Sequence, residues 1–134
     1  MKTVFVDSNI FLSFFRAEEV EQAKVARLLS LAAAGRVDLV TGPPVLFEVA
    51  WTLRSSYNLP PTKILEVLSA IAALPGLKLL DADVVSDAIS LARRSGIHFS
   101  DAYIVALAHA AGANEVASFN RGHFERLGAK VMDL

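Results

Sequence analysis

Short apolar runs and longer amphipathic stretches alternate along the chain, separated by glycine, proline and small polar residues. Runs rich in β-branched and aromatic residues are typical of buried strands, whereas apolar residues three and four positions apart are typical of helices. The short runs predict five strands, over residues 3–6, 37–41, 77–80, 115–118 and 130–132. The longer stretches predict helices over residues 10–15, 18–34, 45–54, 62–73, 83–94 and 101–111, with a loop or short helix over 120–127.

This alternation predicts an α/β fold: a three-layer α/β/α sandwich around a central, mostly parallel sheet of about five strands. The length of 134 residues fits a single domain spanning residues 1–134. Functional sites in such sheets lie beyond the carboxyl ends of the strands. The polar residues that follow the predicted strands are therefore the candidate functional residues.

Composition narrows the chemistry that the chain can perform. It has no cysteine, which excludes disulfides, thiolate metal ligands and a cysteine nucleophile. Its formal net charge of −1 gives no overall basic field that would attract nucleic acid. The acids of a functional site could still cancel, in the net charge, a group of basic residues around it. Hydrophobic residues make up 54% of the chain, so we expect an interface as well as a sheet covered on both faces. No signal peptide or membrane span is recognisable, which favours a cytoplasmic location.

Six polar residues could reach the same edge of the sheet. They are Asp7, Asn9, Glu48, Asp101, Ser118 and Asn120. Each also has a structural explanation: an acid or amide after a strand often caps a turn, an acid in the first turn of a helix is favoured by the helix dipole, and a helical glutamate is often solvated. The sequence leaves these alternatives open for each residue taken alone.

Three of the acids are easier to explain together. Asp101 shares a helix face with Ile104, Val105 and Ala108, which we expect to be buried, and no lysine or arginine three or four positions away can pair with it. Asp7 and Glu48 also lack such a partner. Three partly buried carboxylates suggest a shared divalent cation with oxygen ligands.

The histidines do not suggest a zinc site. His109 lies in an alanine-rich helix and is expected to be structural. His98 and His123 fall in predicted loops, too far apart in sequence for a local zinc pattern. A hard cation is therefore the better prediction.

Four motifs occur in order and cover nearly the whole chain. They read VFVDSNIF over residues 4–11, VLFEVAWTL over 45–53, FSDAYIVALA over 99–108 and VASFNRGHF over 116–124. Their order, spacing and strand–helix context resemble the four motifs of the PIN-domain nucleases. Within that family, the length and layout look like the VapC-type toxins of type II toxin–antitoxin pairs.

The resemblance implies cleavage of RNA that depends on Mg²⁺ or Mn²⁺, with Asp7, Glu48 and Asp101 as the catalytic and metal-binding acids. It implies positioning roles for Asn9, Ser118 and Asn120. It also implies a homodimer and a cognate antitoxin protein as partner. Arg16, Arg93 and Arg121 are candidates for holding the RNA backbone, although each is equally well explained as an ordinary surface arginine.

One departure from the family pattern leaves a second function open. The fourth motif often carries an aspartate where this chain has Asn120, and an amide contributes no charge to a metal site. The alternative is a catalytically weakened PIN domain that acts as an interaction module. A phosphoacceptor receiver domain has a similar size, but Asp7 has no adjacent acid and Lys130 begins a predicted strand instead of following one.

Overall fold

The computed structural model describes all residues, 1–134, and its core is an α/β arrangement of three strands and seven helices. The strands are β1 (Thr3–Phe5), β2 (Asp38–Thr41) and β3 (Leu77–Leu79). The helices are α1 (Ser8–Leu12), α2 (Glu19–Ala33), α3 (Pro43–Ser55), α4 (Pro61–Ala72), α5 (Ala82–Ser95), α6 (Phe99–Ala110) and α7 (Arg121–Arg126), and a 3-10 turn over Ser13–Phe15 follows α1.

The sheet is parallel and its strand order is β1-β2-β3. In β2, Leu39 pairs with Val4 of β1 on one side and with Leu77 of β3 on the other. Two helices connect each strand to the next along the chain, as parallel pairing requires. All three strands therefore end at the same edge, and the segments that follow them begin there.

The prediction of five strands is not met by the structure. The segments 115–118 and 130–132 meet at one parallel bridge, between Val116 and Val131. Of the two bridged residues, Val131 is buried and Val116 is only partly buried. The two segments therefore bury too little apolar surface against each other to support a longer run of paired residues. No backbone hydrogen bond joins residues 115–134 to the three strands.

The helix boundaries follow the proline and glycine positions. Pro43 and Pro61 occupy the first positions of α3 and α4, where a missing N–H costs nothing. Gly96 caps α5 in the left-handed conformation. Two helices begin before their predicted starts at 83 and 101: α5 begins at Ala82, after Asp81, and α6 begins at Phe99, after His98.

One cluster of 27 buried residues extends from Val6 to Val131 and is the hydrophobic core. Helix α5 packs most extensively on α6, while α3 contacts α1, α4 and α6. The elements that carry the predicted acids are therefore neighbours: α1 after Asp7, α3 with Glu48 and α6 with Asp101. The longest helix, α2, has 15 residues, and none of the seven helices could span a lipid bilayer.

Candidate active site

Asp7 stands at the junction of β1 and α1. It is the residue before α1, and its Oδ1 accepts a hydrogen bond of 2.7 Å from the Ser8 backbone N–H. The preceding residue, Val6, is tied to β2 twice. Its N–H donates to the Val40 carbonyl at 2.8 Å, and its carbonyl accepts from the buried Thr41 hydroxyl at 2.9 Å. The sheet edge thus fixes the backbone from which the exposed Asp7 carboxylate projects.

Asn9 and Arg16 line a depression of about 270 Å³ beside α1. The Arg16 guanidinium donates to the Asn9 carbonyl at 3.1 Å and forms an ion pair with Glu21 at 2.7 Å. Its Nε is buried without a partner. Arg16 is therefore held close to the first motif, and its charge is already partly balanced by an acid of α2.

Glu48 lies exposed on α3, beside a cavity of about 410 Å³ between α3, α4 and the start of α6. Ser100, the neighbour of Asp101 in the chain, lines the same cavity. The second and third motifs therefore border one depression, although no hydrogen bond or ion pair joins Glu48 to Asp101.

Asp101 and His123 bring the third and fourth motifs into contact. The Asp101 Oδ2 lies 3.3 Å from the His123 Nδ1, and the Asn120 Nδ2 lies 3.1 Å from the same nitrogen. A protonated Nδ1 donates to Asp101, whereas an unprotonated Nδ1 accepts from the Asn120 amide. Only one of the two contacts is therefore a hydrogen bond in a given tautomer of His123.

His98 stands near this pair, immediately before α6. Partial desolvation of the ring lowers the pKa of His98, and the positive charge of Arg54 lowers it further. The carboxylate of Asp101 acts in the opposite direction and raises it. His98 and Arg54 line the same cavity, and Asp101 lies in the first turn of α6, which His98 precedes.

The remaining predicted residues support the loop of the fourth motif or lie on the surface. The Ser118 hydroxyl accepts a hydrogen bond of 2.9 Å from the Asn120 backbone N–H. Arg121 forms ion pairs with Glu125 at 2.9 Å and Asp133 at 2.6 Å, so its charge is balanced. Arg93 is exposed on α5 and forms no ion pair.

The expectation of three partly buried carboxylates is corrected by the structure. Asp7 and Glu48 are exposed, and only Asp101 is partly buried. The buried face of α6 is formed by Phe99, Ala102, Tyr103 and Ala106, whereas Ile104, which we expected to be buried, is 46% exposed. Helix α6 is apolar on nearly all sides, so periodicity alone did not reveal which side faces the core.

No three acidic or histidine side chains lie close enough together to hold a metal ion. The carboxylate oxygens of Asp7, Glu48 and Asp101 are the donor atoms that Mg²⁺ and Mn²⁺ prefer. Their arrangement nevertheless does not fit a preformed metal centre, so the metal-binding role of these three acids stays a prediction.

Two residues of this region were missed in the sequence. From the sequence alone, His123 is considered only as a zinc ligand beside His98, and its partner Asp101 is 22 residues away. The spacing of Asn120 and His123 by three positions, at the start of a short helix, is a usable signal. Thr41 gave a weaker signal, as a hydroxyl residue at the end of a buried strand.

Comparison with known proteins agrees with this arrangement of motifs. The sequence pattern that describes the PIN domain matches residues 4–130, and no curated protein matches the chain. PIN domains are typically nucleases that act on nucleic acids, and they generally use divalent metals. The match covers almost the full length of the chain, which therefore belongs to the PIN-domain family.

Proposed function

We propose that this protein is a metal-dependent endoribonuclease that hydrolyses RNA phosphodiester bonds with Mg²⁺ or Mn²⁺. The observation that carries the proposal is the contact of Asp101 with His123, because it joins the third and fourth motifs through two residues that are 22 positions apart in the chain. Membership of the PIN-domain family supports a nuclease of some kind. The choice of RNA and of the ion rests on the resemblance of the four motifs to RNA-cleaving members.

The proposal assigns three roles to residues of the chain: metal binding and catalysis, positioning, and binding of the RNA backbone. Asp7, Glu48 and Asp101 are the catalytic acids and the proposed metal ligands. Asn9, Ser118 and Asn120 position them or the substrate, and the Asn120 side chain lies 3.1 Å from the His123 ring nitrogen that also contacts Asp101. Among the arginines proposed for the RNA backbone, Arg93 is free of ion pairs, whereas Arg16 and Arg121 must release an acid to bind a phosphate.

Cleavage of labelled RNA by Asp101→Asn tests the assignment. Because a catalytic divalent ion contributes several kcal/mol to the reaction, we expect loss of a ligand charge to slow cleavage about 100-fold or more. Addition of chelator should abolish cleavage by the wild type. Asp87→Asn, an exposed acid of α5, is the matched control and should cleave normally. Full activity of both Asp7→Asn and Asp101→Asn would refute the assignment.

A toxin role in the cytoplasm, restrained by a cognate antitoxin, extends the same proposal. It is supported by the similarity of length and motif layout to the VapC-type toxins. Induced expression in a bacterial host should arrest growth, whereas expression of Asp101→Asn should not. Normal growth with a folded, RNA-cleaving wild type would contradict the toxin role and leave the nuclease assignment intact.

A homodimer through α6 is proposed from two exposed apolar side chains. Ile104 and Leu107 are 46% and 48% exposed, and their spacing of three positions places them on one side of the helix. Light scattering should give the mass of two chains for the wild type and of one chain for Leu107→Lys. A monomeric wild type at micromolar concentration would contradict the dimer.

A non-catalytic interaction module is the second candidate function. Two observations favour it: no three acidic or histidine side chains form a metal-binding group, and Asn120 stands where the fourth motif often carries an acid. Calorimetry with Mn²⁺ separates the two candidates. A nuclease should release or absorb measurable heat that disappears in Asp101→Asn, whereas a scaffold should give no binding heat in either protein.

A further inference from the structure

The cavity of about 410 Å³ has three unlike walls. On α3, the residues Phe47, Ala50, Trp51 and Arg54 face it at helical spacing, and on α4 the wall is apolar, formed mainly by Ile64 and Leu65. The third wall is the segment 97–100 before and at the start of α6. The volume lies within the range of pockets that bind small ligands. The cavity therefore has the size of a ligand pocket and borders Glu48 and the start of the third motif.

Some of the aromatic side chains of this cavity pack against other rings of the protein, and one does not. Phe47 packs against Phe99 at 5.5 Å and against Tyr103 at 5.0 Å between ring centroids, so these rings form a rigid support. Trp51 belongs to none of the aromatic pairs and is 65% exposed. An exposed indole beside a pocket is a stacking surface without a partner, and every nucleobase has a face that can stack on it.

The charged residues that line the cavity are Glu48 and Arg54, and Arg54 favours a nucleotide over an apolar protein segment. Arg54 forms no ion pair within the chain and lines the cavity together with His98. An apolar helix laid in the groove would cover Arg54 without neutralising it, which is costly for a buried charge. A nucleotide would place its base on the apolar walls and its phosphate against Arg54.

We propose that this cavity takes up one unstacked base of single-stranded RNA, stacked on Trp51, with the adjoining phosphate held by Arg54. The inference rests on the proposed function, because the cavity borders Glu48 and Ser100 and would hold a nucleotide next to the phosphodiester that is cleaved. The pocket would select unpaired RNA, since a base in a duplex cannot enter it.

The fluorescence of Trp51 reports directly on this pocket, because the chain contains one tryptophan. The full-length protein is titrated with a short single-stranded oligoribonucleotide in chelator, which prevents metal-dependent cleavage. We expect the emission to be quenched by the intact oligonucleotide and to change little with an abasic oligonucleotide of equal length. Equal quenching by both, or binding seen by anisotropy without quenching, would overturn the pocket.

Binding of labelled RNA by variants gives the second measurement. Loss of one base–aromatic stack in Trp51→Ala should weaken binding between about 5-fold and about 150-fold, whereas Trp51→Phe should retain most of the affinity. Arg54→Gln should weaken binding and reduce its salt dependence. Phe14→Ala and Arg27→Gln are controls outside the cavity and should bind like the wild type. Unchanged affinity of Trp51→Ala would refute the proposal.

The outcomes separate this pocket from the nuclease assignment. Base-dependent quenching without cleavage in Mg²⁺ or Mn²⁺ would support the pocket and contradict the proposed function. Cleavage that is unchanged in Trp51→Ala and with abasic RNA would support the proposed function and contradict the pocket. A concentration-dependent blue shift of the Trp51 emission without RNA would show that a second copy of the chain covers the cavity, and would overturn the proposal.

Discussion

The hydroxyl of Thr41 is expected to hold the backbone from which Asp7 projects. Thr41 is fully buried in the central strand β2, and its Oγ1 donates a hydrogen bond of 2.9 Å to the Val6 carbonyl. In Thr41→Val the side chain keeps its shape but loses the donor. The Val6 carbonyl is then a buried acceptor without that partner, which costs about 1–3 kcal/mol of the free energy of unfolding.

The matched control is Thr41→Ser, which retains the hydroxyl and loses one methyl group. By analogy with the removal of one buried methyl group in Ile→Val, it should cost about 0.5–1.5 kcal/mol. We expect the two variants to differ more in their rate of RNA cleavage than in their free energy of unfolding. Since Asp7 directly follows Val6, Thr41→Val should reduce RNA cleavage, while Thr41→Ser should cleave at nearly the wild-type rate.

Urea denaturation and a cleavage assay measure the two effects on the same preparations. Equal m values in the three proteins would show that the comparison of midpoints is a comparison of stability. If Thr41→Val is as stable as Thr41→Ser and cleaves RNA equally well, the hydrogen bond does not position Asp7 and the reasoning is refuted.

Two further predictions concern the turns and the rim of the cavity. Gly76→Ala should cost about 2–5 kcal/mol by urea denaturation, because its φ of +77° is strained for alanine and its Cβ would lie 2.3 Å from the Ala32 carbonyl oxygen. Gly112→Ala, with φ of +76° and open space around it, should cost only about 1–2 kcal/mol, and equal losses would contradict the clash. The lowered pKa of His98 means that the folded protein binds this proton more weakly than the unfolded chain, so lowering the pH through 6.5 favours unfolding. Arg54→Gln removes one cause of that shift and should raise the pKa of His98 in an NMR titration; a pKa that stays the same or falls would contradict the proximity of the two groups.

The sequence predicted the parts of the fold that depend on local pattern. Strands β1, β2 and β3 were found because each is a compact apolar run before a polar break, and α3 and α4 because proline marks their starts. The segments around Val116 and Val131 also read as strands. They are not, because pairing depends on how much apolar surface each brings to the other, which a local pattern does not report.

The candidate site could be predicted less completely than the fold. The motifs include Asp101, Asn120 and His123, but the contact of His123 with Asp101 joins two helices that are separate in sequence, α7 and α6. A search three or four positions from Asp101 finds only contacts within one helix. The exposure of Glu48 could not be predicted from the sequence either, because it depends on which sides of α3 the neighbouring helices cover.

The two sides of the candidate site are attached to the protein in different ways. Asp7 follows a strand of a hydrogen-bonded ladder, whereas Asn120 and His123 belong to the segment 115–134, whose backbone forms no hydrogen bond with that ladder. The segment is retained by the packing of a few side chains, among them Phe124. Its amides should therefore exchange with deuterium sooner than those of the strands. A substrate could shift this segment at little cost while Asp7 stays still, so the distance from Asn120 and His123 to Asp7 would be adjustable during turnover.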